Sequence, residues 1–377
     1  MDLTLSETQT QLADSVRTFL ARLSASGMAE APGAPGPTAV WRDMGEALGV
    51  LALALPEDLG GLGGEAADVM VVMEAFGEAL LTEPYLETVV TAAGLLRRCD
   101  QPRARALAQA IGEGAAIVAP ALTEPAGRAD WRFCATRAER DGDGWRLTGG
   151  KGLVTPGASA QSLIVAARTR GDDGQADGLS LFLVERDTHG LILRDVATLD
   201  ERWAAEVVLD GVSLSTDSLI GVEHEAGPLI ALVLDEATAA LCAEAVGVLR
   251  RMLDDTVAFA KERRQFGQAI GRFQALQHRM ADMFIQFELA RSAAVLATLS
   301  LGKPDRERTL AVSAAKVTVS DACRFISQNA VQLHGGLGMS LETEVTRYFK
   351  RAAVIETQLG TRDHHLDRTI ELDVRAA

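Results

Sequence analysis

ERRQFGQAIGRFQALQ, residues 262–277, separates long helical patterns and decides how the rest of the chain is read. Residues 228–262, which run into it, carry apolar side chains at helical spacing with few breakers, and residues 273–301, which begin within it, and 306–334 do the same. The segment holds Arg263, Gln265, Phe266 and Gln274 around two glycines. Arg263 stays charged and presents a donor fork that fits a phosphate oxygen, although beside Glu262 it equally suits a surface ion pair. Phe266 offers a flat apolar face, for a ligand or for a core. Gln265 and Gln274 can donate and accept hydrogen bonds, or stand in solvent.

Ahead of this bundle the texture is different. From Ala116 to about Gly221 short β-like runs alternate with turns: AIVAPALTEP, WRFCATRAER, GWRLTGGKGLV, SLIVAART, LSLFLVER and AAEVVLDGVSL. DGDG at 141–144 reads as a hairpin turn between two of them. Earlier still, residues 1–30 read as a helix, with Leu5, Leu12, Val16, Phe19 and Leu20 near helical spacing. APGAPGP at 31–37 is a loop, Val40 to about Leu51 is helical, and PEDLGGLGGE at 56–65 is a glycine-rich turn. A long helix is expected near Asp68–Leu81, and further helices over 85–115. The expected class is mainly α with a central β domain. The expected domains are an N-terminal helical domain (1–115), a middle β domain (116–226) and a C-terminal helical bundle (227–377).

The 377 residues, 47% hydrophobic and 24% charged, are ample for a large core divided among packed domains. A formal net charge of −15 argues against a nucleic-acid surface, which needs a basic stripe. An anionic ligand would need local help from arginines or helix N-termini. The start, MDLTLSETQTQ, is too polar for a signal peptide, and apolar runs such as 228–234 fall short of the roughly 18–20 residues of a membrane span. Cys99, Cys134, Cys242 and Cys323 form no CxxC pair and are expected as buried free thiols in a reducing cytoplasm. No GxGxxG follows an early strand, no Walker A motif is present, and His364–His365 lacks metal-ligand partners at useful spacing.

Several segments, in order along nearly the whole chain, resemble the acyl-CoA dehydrogenase family. ALTEPAGRAD (121–130) resembles its TEPxxGSD turn, GGKGLVT (149–155) its GxKxWITN strand, residues 262–277 its RxxFGxxxxxxQ segment, and QLHGGLGM (332–339) its QxxGGxG segment. PEDLGGLGG (56–64) and LSETQTQLADSVRTF (5–19) fit as well. The resemblance implies the family's fold: an N-terminal helical domain, a β-barrel-like middle domain and a C-terminal four-helix bundle. It also implies FAD as cofactor and an acyl-CoA or related thioester as substrate. Thr123 and Thr155 match threonines set against the isoalloxazine ring. Arg263, Gln265, Phe266, Gln274, Gln332, Gly335, Gly336 and Thr361 match or adjoin the remaining cofactor contacts. Gln332 with the two glycines reads as a helix end whose backbone N–H groups can approach a ligand, or as an ordinary C-cap. In the family that segment touches the neighbouring subunit's FAD, so a homo- or heterodimer or tetramer is implied.

Departures from the pattern are as informative. Leu153 and Pro156 replace the Trp and Asn of WITN, and Ala129 stands where a substrate-contacting Ser is common. The family's carboxylate base, often the Glu of a YEGT segment, falls on Leu359 in Gln358-Leu359-Gly360-Thr361. A three-residue gap would substitute Glu356. The alternative base position on the first helix of the bundle is Ala237, with Glu236 expected in solvent and Glu244 inside the apolar run ALCAEAVGVL. Glu244 and Glu356 are therefore the candidate bases of this chain. Closer similarity runs to small subunits of heteromeric acyl-CoA dehydrogenases of the pimeloyl-CoA dehydrogenase type, through 237–247, 261–283 and 348–366. That resemblance implies a paralogous partner chain able to supply the base for α,β-desaturation. A scaffold recruited to other chemistry in secondary metabolism, or a non-catalytic subunit, are the alternatives.

Overall fold

The computed structural model describes residues 5–26, 35–340 and 343–374. The chain divides into two compact units.

The first unit combines the N-terminal helix, the helix ending near Leu81 and everything from Thr238 onward. Helix α1 (Glu7–Ser26) covers the described part of the helix expected over 1–30; residues 1–4 and 27–30 of that expectation, and 31–34 of the expected loop, lie outside the described residues. Between α1 and the unit's next helix, α3 (Ala66–Ala79), the chain forms α2 (Ala39–Glu46). The second unit holds α2, a fully buried π-helix (Tyr85–Ala92) continuing into α4 (Ala93–Leu96), α5 (Pro102–Gly112) and the sheet. Thr38 caps α2 by accepting from Trp41 N at 2.9 Å. The helix expected to run from Val40 to Leu51 stops sooner, because Gly49 takes φ +67° and a short 3-10 turn follows.

The sheet contains β1 (Val118–Ala121), β2 (Arg137–Asp141), β3 (Gly144–Val154), β4 (Ser162–Arg168), β5 (Leu179–Glu185), β6 (Leu191–Ala197), β7 (Trp203–Leu214) and β8 (Leu219–Ile220). Its order is β6-β7-β3-β2-β4-β5-β8, with β1 parallel beside β4. The expected hairpin is present: Asp141 pairs Gly144 across a two-residue loop with Gly142 at φ +59°. Strand β4 is buried throughout, which explains its unbroken apolar run. Strand β6, which the reading of apolar runs did not single out, is mostly exposed and carries Arg194 and Asp195. A register irregularity in β3 between Lys151 and Val154 buries Val154 and leaves Leu153 64% exposed.

The bundle follows the expected helices closely: α6 (Ala226–Glu262), α7 (Gln274–Ser300), α8 (Asp305–His334), α9 (Glu344–Thr357) and α10 (Arg362–Val374). A small hairpin, β9 (Arg264–Gln265) and β10 (Gln268–Ala269), joins α6 to α7. Within the first unit α3 crosses α6 at small residues. A Cβ on Gly77 would lie 2.0 Å from Glu244 O, and one on Gly247 2.0 Å from Glu74 O, so a methyl at either place would force the backbones apart. The four cysteines are buried free thiols. Among the described residues no helix is long and apolar enough to cross a membrane.

Candidate functional site

In the second unit the loop after β1 is tied to β3 by an ion pair. Lys151 Nζ lies 2.8 Å from Glu124 Oε1, both side chains buried, and Glu124 also accepts from Ala135 N at 2.8 Å and Thr136 N at 2.9 Å. Burial alone would push the Glu124 carboxyl up. The Lys151 charge and the hydrogen bonds from Lys151 and Thr136 outweigh it and hold the group down at about 2. Thr123 precedes Glu124, and its carbonyl accepts from Gly152 N at 3.3 Å. Thr155 follows β3; both threonines are half-buried. The ion pair was not among the expected site residues. Its sequence signal was present, since Glu124 and Lys151 stand inside the two quoted motifs.

In the first unit, two of the expected ligand segments sit at neighbouring helix ends. Phe259, one turn before Arg263, stacks on the ring of His334, one residue before Gly335, with centroids 4.4 Å apart. Arg263, Gln265, Phe266 and Gln274 are all exposed. Phe266 is 90% exposed at φ +53°, edge-on to Phe273 at 6.1 Å. It is therefore not a core residue. Gln265 Nε2 donates to Arg264 O at 2.9 Å. Helix α8 ends as expected, with Gln332 exposed near its end and Gly335 at φ +62°. Gly336 needs no special φ, and a Cβ there would meet nothing within 4 Å. Its lack of a side chain has no cause in this chain. The stack between Phe259 and His334 left no sequence signal, because it depends on how α6 and α8 lie.

A third group is the turn after α9. Leu359 takes φ +58° and Gly360 φ +115°. Thr361 is exposed, and its hydroxyl accepts from His364 N at 3.3 Å, capping α10. Glu356 Oε1 accepts from Arg324 Nη2.

The other two carboxylates weighed as bases, Glu244 and Glu236, are also paired. Glu244 is buried as expected, but Arg351 forks onto it, Nε to Oε1 and Nη2 to Oε2, each at 2.7 Å. Arg351 Nη1 also donates to Gln358 Oε1 at 3.0 Å. Glu236, expected in solvent, has a side chain only 16% exposed and pairs with Arg98 at 2.5 Å and Arg97 at 3.4 Å. Arginines distant in sequence draw it in, a contact that helical periodicity does not encode.

These features fit FAD. An exposed guanidinium, an exposed ring in an unfavourable backbone conformation and an unfilled glycine gather at one end of the first unit. Phe266 and Gly336 are unexplained by packing within the chain and suit an outside partner that is flat and anionic. Arg263 would hold a phosphate, and Gly335 and Gly336 would offer backbone N–H groups.

Comparison with known proteins agrees. Models of the acyl-CoA dehydrogenase N-terminal, middle and C-terminal domains match residues 6–97, 119–212 and 228–371. A probable acyl-CoA dehydrogenase, YngJ of Bacillus subtilis, is 30% identical over 331 residues, 86% of this chain and 87% of that one. One chain of the ChsE4-ChsE5 complex from Mycobacterium tuberculosis matches with a TM-score of 0.87 at 28% identity, over 100% of this chain and 100% of that one. Butyryl-CoA dehydrogenase from Megasphaera elsdenii matches with a TM-score of 0.89 at 25% identity, again over 100% of both.

Proposed function

The chain belongs to the acyl-CoA dehydrogenase family, whose members are FAD-dependent oxidoreductases acting on acyl thioesters, and we propose that it works as one subunit of a heteromeric enzyme in which a paralogous partner supplies the base. The observation that carries this reading is the state of the chain's own carboxylates. A base for an α-proton must be an accessible carboxylate within hydrogen-bond reach of the α-carbon. Glu244 is closed in a buried fork by Arg351, Glu356 is paired with Arg324, and Glu236 is pinched by Arg97 and Arg98. The turn that would present the base carries Leu359 instead.

Bound FAD supplies the hydride acceptor for α,β-desaturation. This chain's residues bind and orient it. Thr123 and Thr155 would address the ring, while Arg263, Gln265, Phe266 and Gln274, with Gln332, Gly335 and Gly336, would form an edge for a dinucleotide, which the resemblance of the Gln332 segment makes the neighbouring subunit's; Thr361 stands on the turn beside Leu359. In this reading residues 1–115, 116–226 and 227–377 are the functional domains. The small-subunit likeness supports it, and so does the two-chain composition of the ChsE4-ChsE5 relative.

The test is anaerobic bleaching of the flavin band by acyl-CoA. The chain with its partner is expected to bleach, and mutation of the partner's carboxylate to the amide to abolish it, while Glu244→Gln and Glu356→Gln in this chain leave the rate unchanged wherever the protein folds. Bleaching by this chain alone, lost on Glu356→Gln, would show that it carries its own base.

A further inference from the structure

A helix leaves its last four carbonyls without intrahelical donors, and at the end of α9 each has found one. Val354 O accepts from Gln358 N at 2.9 Å and Thr357 O from Gly360 N at 3.3 Å. Ile355 O and Glu356 O accept from Lys316 Nζ at 2.9 and 3.1 Å. The same ammonium, reaching from the middle of α8, also lies 3.0 Å from Gly360 O and 3.1 Å from Ser320 Oγ, so its three N–H groups are shared among four acceptors. Beyond the helix, His365 Nε2 lies 3.1 Å from Leu359 O and so must be its protonated nitrogen; Nδ1 then accepts from Ser313 Oγ at 3.3 Å.

Lys316 and His365 are almost fully buried. Taking an ammonium out of water is costly, and burial lowers the pKa of Lys316. The backbone carbonyls and the negative end of α9 offset that cost. What the arrangement achieves is visible in the turn. Leu359 is held at φ +58°, a region unfavourable to a branched side chain. Gly360 is fitted so tightly that a Cβ would lie 2.7 Å from His364 Cδ2 and 2.8 Å from His365 Nε2.

We propose that Lys316 is a positioning residue. Acting on backbone carbonyls, with His365 as second anchor, it holds Gln358–Thr361 in a conformation the turn would not keep by itself, and so fixes Leu359 and Thr361 as a rigid part of the ligand edge. That Thr361 faces the cofactor rests on the function proposed above; that Lys316 holds the turn does not.

Lys316→Met is read by amide hydrogen exchange of the 355–362 peptide in the full chain without cofactor, and by fluorescence titration with FAD. Exchange at the turn is expected to quicken by about tenfold or more, roughly one lost hydrogen bond, with the FAD dissociation constant rising by a similar factor. Adding Leu359→Gly should reverse much of the change in exchange, since glycine takes a positive φ without strain. His365→Phe, which removes only the anchor on Leu359 O, is read in the same way should Lys316→Met not fold. Exchange that is unchanged, or raised evenly over the whole bundle, would overturn the proposal, as would a Leu359→Gly change that deepens the loss. Failure of the unaltered chain to take up FAD would count against the cofactor reading instead, and the exchange measurement would still decide the role of Lys316.

Discussion

Arg351 on α9 and Glu244 on α6 face each other as two parallel hydrogen bonds of 2.7 Å, with side chains 3% and 4% exposed. Such a pair is worth little over a well-packed apolar pair, but losing one member strands a buried charge. Glu244→Gln and Arg351→Met should each destabilise the protein by about 3–5 kcal/mol in urea denaturation. The double replacement Glu244→Leu with Arg351→Met should cost much less than the two losses added. Additive losses would mean that the pair does not act as a unit.

Installing a carboxylate where the turn lacks one should change what the chain does alone. Leu359→Glu keeps the backbone anchors, because Lys316 and His365 hold carbonyls and not the side chain. The flavin-loaded variant is expected to bleach with acyl-CoA without a partner, and the unaltered chain is not. Absence of bleaching in a variant that binds FAD normally would argue that the turn does not face the substrate.

The succession of helices, strands and helices was legible because its periodicities are local and strong. Strand β4 reads as a solid apolar run and α8 as a repeating one since burial follows backbone geometry. Strand β6 escaped notice because an exposed strand carries little apolar pattern. At the candidate site, residue types announced Arg263, Phe266 and the double glycine. The state of the carboxylates was not legible: Glu236 and Arg98 are 138 residues apart and Glu244 and Arg351 107, distances at which side-chain pairing leaves no periodic trace.

At the end of the bundle, affinity and stability should separate. Phe266 is 90% exposed and Arg263 is exposed, so Phe266→Ala and Arg263→Gln should each change stability by less than about 0.5 kcal/mol. Loss of a charge-assisted bond to phosphate corresponds to about 1.5–3 kcal/mol, so the FAD constant of Arg263→Gln should rise roughly ten- to hundredfold. A calorimetric melt beside a flavin titration measures both. Equal loss of stability and affinity would assign these residues to the fold alone.

Acid should weaken the fold in two separable steps. His365 is buried against Lys316, and burial first, then the charges of Lys316 and His364, hold its pKa down at about 3 against an ordinary 6.5. The unfolded chain therefore binds a proton between pH 6.5 and 3 that the folded chain refuses, and stability falls with pH across that window by up to about 1.4 kcal/mol per unit. Glu124 behaves differently. Its carboxyl, held at about 2 against an ordinary 4.5, contributes stability above pH 4.5 that is lost as pH drops towards 2. Denaturation midpoints taken from pH 7 to pH 3 should thus fall less steeply in His365→Phe than in the unaltered chain, most clearly between about pH 6.5 and 5.5, where Glu124 is still almost fully ionised in both states. A slope in that interval that His365→Phe does not change would mean that another group takes up the proton.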